Sequence, residues 1–135
     1  SKSAPKNDKG TIFMLDDIDI TRKKIMSACT DNENKVYYDE INKHGISNLI
    51  SLYCAVEEIT IEEAITHFSG YNYKSFKIEV ADSVCSFIKG VQEKYYIFRN
   101  DEKELKRILM IGASNARLKA SKKIESVKSK IGLNI

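Results

Sequence analysis

Tryptophan is absent from this sequence, proline occurs once (Pro5), and glycine occurs six times in 135 residues. So few loop breakers predict long helices. No apolar run approaches the roughly 20 residues that a membrane span requires, and no leader pattern opens the chain. A soluble, cytoplasmic protein with no membrane partner is expected. The three cysteines, Cys29, Cys54 and Cys85, include no CxxC pair. Their spacing argues against a disulfide framework or a thiolate metal site, and each is expected to pack in a helix among apolar neighbours. The two histidines, His44 and His67, lack HxxxH spacing and a nearby cysteine, so surface or capping roles are expected and no metal. Neither GxxxxGK[ST] nor GxGxxG is present, which leaves no complete phosphate-binding loop.

What is there suits one packed domain: 42% of residues are hydrophobic and 30% charged in a mass of 15.4 kDa. The net charge of +3 hides a division. Residues 1–100 carry 13 basic against 15 acidic groups, whereas residues 101–135 carry nine against four. Polar residues 1–10 read as a loop, and Thr11–Leu15 as a buried strand or an extended lead-in. Asp17 or Asp19 can cap a helix running to about Cys29. Leu49, Ile50, Leu52, Tyr53 and Val56 mark a second helix from about Ile46 to Val56. Thr60 and Glu63 form a capping box for a short third helix that Gly70 ends. Phe76, Val80, Val84, Phe87, Val91, Tyr95 and Phe98 recur at steps of three and four, which predicts a long amphipathic helix. Asp101 and Glu104 can box the last helix, whose inner face steps through Leu105, Leu109, Gly112, Ala116, Ala120, Val127 and Ile131. The fold class is therefore mainly α: a helical bundle with a long C-terminal helix, the last two helices packing antiparallel.

Two features bear on chemistry. Ser1, Lys2 and Ser3, with Lys6, Lys9 and Gly10, make a flexible loop able to wrap polyphosphate, because a lysine on a long stem follows charge as it moves. The lysines of the last helix can contact a nucleic-acid backbone, or can simply solubilise a helix packed on a larger body.

The order of short segments then carries a resemblance. Ser1-Lys2-Ser3 followed by Gly10-Thr11-Ile12-Phe13-Met14-Leu15-Asp16-Asp17 resembles the end and continuation of the KMSKS signature in the bacterial tryptophanyl-tRNA synthetases, which belong to class I. Arg22-Lys23-Lys24-Ile25, Thr30-Asp31, Tyr38-Asp39, Gly45-Ile46-Ser47-Asn48-Leu49, Glu79-Val80-Ala81-Asp82, Gln92-Glu93-Lys94-Tyr95 and Arg99-Asn100-Asp101-Glu102 extend it along the whole chain. Ile18 departs from the pattern, standing where many members have proline, and leaves the start of the first helix open.

The resemblance implies activation of tryptophan with ATP and Mg2+, then transfer to the tryptophan tRNA, by a homodimeric parent enzyme. Ser1, Lys2 and Ser3 would bind ATP, with Lys2 the catalytic lysine. The Rossmann catalytic domain would precede Ser1 and is missing here, so the fragment is expected to be inactive alone and to hold no cofactor. Residues 1–15 would be the end of the signature loop and its lead-in. Residues 16–99 would be the helical anticodon-recognition domain, with Arg22, Lys23, Lys24 and Arg99 as candidate tRNA contacts. Residues 100–135 would be the long helix returning to the missing catalytic body. The alternative is a free-standing helical module that binds a protein partner through its apolar faces.

Overall fold

A computed structural model describes residues 10–133. Five helices account for its regular structure: α1 (Ile18–Met26), α2 (His44–Glu57), α3 (Ile61–His67), α4 (Tyr73–Asn100) and α5 (Glu102–Lys130), with no strand among the described residues. Thr11–Leu15 is thus not a strand. It closes a turn in which the Asp16 amide donates to the Phe13 carbonyl at 3.0 Å. The chain divides into two compact units, Ser1–Glu93 and Lys94–Ile135.

The helix starts follow local chemistry. The Asp17 carboxylate accepts from the Asp19 amide at 2.8 Å and caps α1. Ile18 is then the first helical residue, the position at which proline is best tolerated, so isoleucine there leaves the start of the helix unchanged. Both halves of the Thr60–Glu63 box are present at α3, and Gly70 takes a φ of +81° just beyond that helix. The box expected at α5 is half formed. Asp101 accepts from the Glu104 amide at 2.9 Å, but the Glu104 carboxylate turns to Arg107 instead of reaching back.

The core of the first unit forms where α4 meets the earlier helices. Phe76, Val80, Ala81, Val84 and Ile88 of α4 are buried, together with Ile25 of α1, Ile46, Leu49 and Ile50 of α2, and Ala64 and Phe68. Phe68 is the aromatic hub. Tyr53 and Phe76 each approach it edge-on with centroids 4.8 Å away, and Tyr71 does so at 5.4 Å. The buried face of α4 ends at Ile88, so the expected stripe holds only in its first half; Phe87, Tyr95 and Phe98 are between 40% and 48% exposed. No residue of α5 is buried, and the inner face anticipated for it is uncovered in this chain. Of the cysteines, Cys85 is buried and Cys54 partly so. Cys29 is exposed, because α1 stops three residues before it.

Two polar arrangements hold the irregular segment 27–43 against the helices. Lys77 of α4 donates to the Ala28 carbonyl at 2.6 Å and reaches the Met26 carbonyl at 3.4 Å, satisfying groups left open at the end of α1. Lys43 is only 3% exposed. Its ammonium contacts Asp31 at 2.9 Å, Glu33 at 3.0 Å, the Tyr73 hydroxyl at 2.8 Å and the Lys35 carbonyl at 3.3 Å. The Tyr73 hydroxyl donates in turn to Asp31 at 2.6 Å, and the Tyr37 ring lies 4.3 Å from the ammonium. Burial alone would lower the Lys43 pKa; the bonds to Tyr73, Asp31 and Glu33 outweigh it and hold the ammonium above its ordinary value. The bonds from Tyr73 and Lys43 keep Asp31 well below the usual carboxylate range.

Gly45, in the first turn of α2, is required by a close approach. A Cβ there would lie 1.9 Å from the Cys29 carbonyl oxygen, a backbone atom with no side-chain freedom to yield. Gly45→Ala would normally favour a helix by about 1 kcal/mol. Here the clash wins, and a net loss of about 2–4 kcal/mol is expected in urea unfolding. A second expectation concerns pH. Because the folded pKa of Asp31 is depressed, its contribution to stability is present above the unfolded value of about 3.9 and is lost as pH falls below it. The urea midpoint should decline as the solution is taken from about pH 5 to pH 3, and Asp31→Asn should flatten that decline while lowering the midpoint at neutral pH.

Candidate nucleic-acid interface

The signature-loop residues Ser1, Lys2 and Ser3 lie outside the described residues. The segment that leads away from them is described from Gly10 and is fastened at several points. Lys24 of α1 donates to the Thr11 carbonyl at 2.7 Å and to the Asp16 carboxylate at 2.6 Å, with its ammonium 5.1 Å from the Phe13 ring centroid. Gln92 of α4 donates to the Met14 carbonyl at 2.9 Å and the Asp16 carbonyl at 2.8 Å. The Lys24 bond and, more weakly, the Phe13 amide lower the Asp16 pKa against the opposing effect of desolvation. Residues 11–16 are thereby tied to two helices and follow a defined path.

α1 presents its three consecutive basic residues in three directions, since neighbours on a helix stand about 100° apart. Lys24 turns inward to the lead-in, with its side chain 15% exposed. Arg22 pairs with Asp82 of α4, and its side chain is 41% exposed. Lys23 is exposed and has no ion-pair partner among the described residues, and the same holds for Arg99 in the second unit. The candidate tRNA contacts therefore do not form one patch on α1: Lys23 is free there, while Arg22 and Lys24 already hold structural partners.

Sequence reasoning missed Lys43 and Lys77. Both are ordinary lysines by pattern, and their partners stand between 8 and 51 positions away. Gln92 was visible only as a letter of a familiar motif, with no signal for its carbonyl contacts. Among the described residues no group of three or more His, Cys, Asp or Glu side chains is placed to hold a metal ion, and no helix is long and apolar enough to cross a membrane.

The described residues thus form an all-helical arrangement whose lead-in is fastened to α1 and α4. The family model described as tRNA synthetases class I (W and Y) matches residues 1–89, and the chain belongs to that family. Within it, the similarity is to tryptophan–tRNA ligases. That of Malacoplasma penetrans is 41% identical over 127 residues, covering 94% of this chain and 38% of the relative. That of Bacillus subtilis is 40% identical over 133 residues, covering 98% of this chain and 40% of the relative. The fold is similar to the crystal structure of tryptophanyl-tRNA synthetase from Mycoplasma pneumoniae, with a TM-score of 0.84 and 22% identity over 99% of this chain and 40% of that one. The chain thus spans about two fifths of the length of the relatives it matches. These matches favour a synthetase segment over the free-standing interaction module.

The fastening of the lead-in can be tested on the chain itself. Gln92→Ala removes two hydrogen bonds to residues 14 and 16, and should loosen this segment by about 1 kcal/mol. Hydrogen exchange at the Phe13 and Asp16 amides is expected to quicken about fivefold, with the far-ultraviolet circular dichroism unchanged because no helix is broken.

Proposed function

We propose that the protein carrying this chain is a tryptophan–tRNA ligase, which activates tryptophan with ATP to tryptophanyl-AMP and transfers it to the tryptophan tRNA. The observation that carries this reading is the family match over residues 1–89 together with ordered identity along nearly the whole chain. Ser1, Lys2 and Ser3 are the last three positions of the signature and bind ATP. Lys2 is the catalytic member: its ammonium meets the negative charge that develops on pyrophosphate as the tryptophan carboxylate attacks the α-phosphorus. Mg2+ enters with the nucleotide as part of the substrate.

Residues 16–99 recognise the anticodon region, with Arg22, Lys23, Lys24 and Arg99 as the contacts. Lys23 and Arg99 are better placed than Arg22 and Lys24, whose charges already face carboxylates. In residues 100–135, the apolar face of α5 packs on the catalytic body. This accounts for a 29-residue helix with no buried residue, in which Leu109 is 62% exposed and beyond which the capping Ile131 is 62% exposed as well. The parent works as a homodimer in the cytoplasm, and the 135-residue chain, with no strand among its described residues to build a nucleotide-binding sheet, is inactive alone.

Pyrophosphate exchange tests this reading. In the full-length enzyme, Lys2→Ala should lower tryptophan-dependent exchange by about 100-fold or more while changing tryptophan affinity little. An unchanged rate removes Lys2 from the mechanism, and exchange by a clean preparation of the 135-residue chain overturns the reading that it is inactive alone.

A further inference from the structure

The two compact units carry charge of opposite sign. Residues 1–93 have 11 basic and 15 acidic groups, and residues 94–135 have 11 basic and four acidic groups. Four of the eight described cations of the first unit are also committed. Arg22, Lys24 and Lys43 are ion-paired, and Lys77 is turned to backbone carbonyls. Long-range attraction of a polyanion therefore falls mainly to the second unit.

α5 is different. At 100° per residue, Arg107, Ser114, Arg117, Ser121 and Lys128 lie within about 40° of Lys103 on the helix surface, a sector that also holds Met110 and one carboxylate, Glu125. The row is about 38 Å long from Lys103 to Lys128 at 1.5 Å per residue, and every member is exposed. Arg107 pairs with Glu104 at 2.6 Å, whereas Lys103, Arg117 and Lys128 have no carboxylate partner among the described residues. The row stands about a third of a turn from Leu109, Ala116, Ala120 and Val127, so it stays available when that apolar face is covered.

We propose that this face of α5 is a contact for the phosphate backbone of tRNA, an inference that rests on the tRNA-ligase reading above. Four cations against one carboxylate, with two hydroxyls between them, give this line a net positive charge that suits the phosphates of a nucleic-acid strand. α5 contains no aromatic residue to anchor a protein partner. The contact positions the nucleic acid and reads no base. Identity stays with other residues.

The experiment is a salt titration of the full chain with the tryptophan tRNA transcript, followed by fluorescence anisotropy. Each cation removed from a phosphate makes the plot of log affinity against log salt shallower by about 0.7–0.9. The triple substitution K103Q/R117Q/K128Q is therefore expected to reduce the slope by about two and to weaken binding at least about tenfold at low salt. Glutamine keeps a good helix propensity, and these positions touch no core. K119Q/K122Q/K123Q removes equal charge from the rest of the helix surface and should leave the slope nearly unchanged. Equal effects from the two triples would mean diffuse attraction and would overturn the proposal, as would no effect from either. In both cases binding by the unaltered chain keeps the tRNA reading intact, whereas failure of the unaltered chain to bind the transcript at low salt removes that reading itself.

Discussion

An ammonium taken out of water costs several kcal/mol unless its protons and its charge are met together, and in Lys43 they are met by groups from three parts of the chain. Asp31 and Glu33 come from the segment after α1, Tyr73 opens α4, and Lys43 itself directly precedes α2. The ammonium therefore fixes where the irregular segment 27–43 lies, and with it how α2 starts. Two residues on, Gly45 passes so near the Cys29 carbonyl that no side chain fits. The ion cluster and the missing side chain act on the same junction, one drawing the segment in and the other letting it come close enough.

From that junction the polar fastenings run along α4. Asn34 accepts from the Tyr73 amide at the start of the helix, Lys77 closes the end of α1, Asp82 receives Arg22, and Gln92 holds the lead-in. α4 thus contributes apolar residues to the core on one face and a ladder of polar ties beside it. An irregular segment keeps a fixed path only where packed elements support it. Residues 11–16, held by Lys24 and Gln92, have such a support.

Much of this was legible before any coordinates. The stripe Phe76, Val80, Val84 described the buried face of α4, and Thr60 with Glu63 described the start of α3, because periodicity and capping act within a few residues. The same logic overreached at Phe87, Tyr95 and Phe98: an apolar period states which face could be buried, not whether anything covers it. It also could not separate Lys23 from Lys24. One points to solvent and the other holds the lead-in, and the difference lies in Asp16, Thr11 and Gln92.

By itself the sequence determined the helical class, the capping of α3, the segregation of basic charge into the last segment and the synthetase resemblance, all of which depend on residue order or on near neighbours. Only the tertiary structure decided which cations are free. A lysine's role depends on what burial and distant carboxylates do to its charge, and Lys43 and Lys128 are the same letter until one is enclosed by Asp31, Glu33 and Tyr73 and the other is left in water.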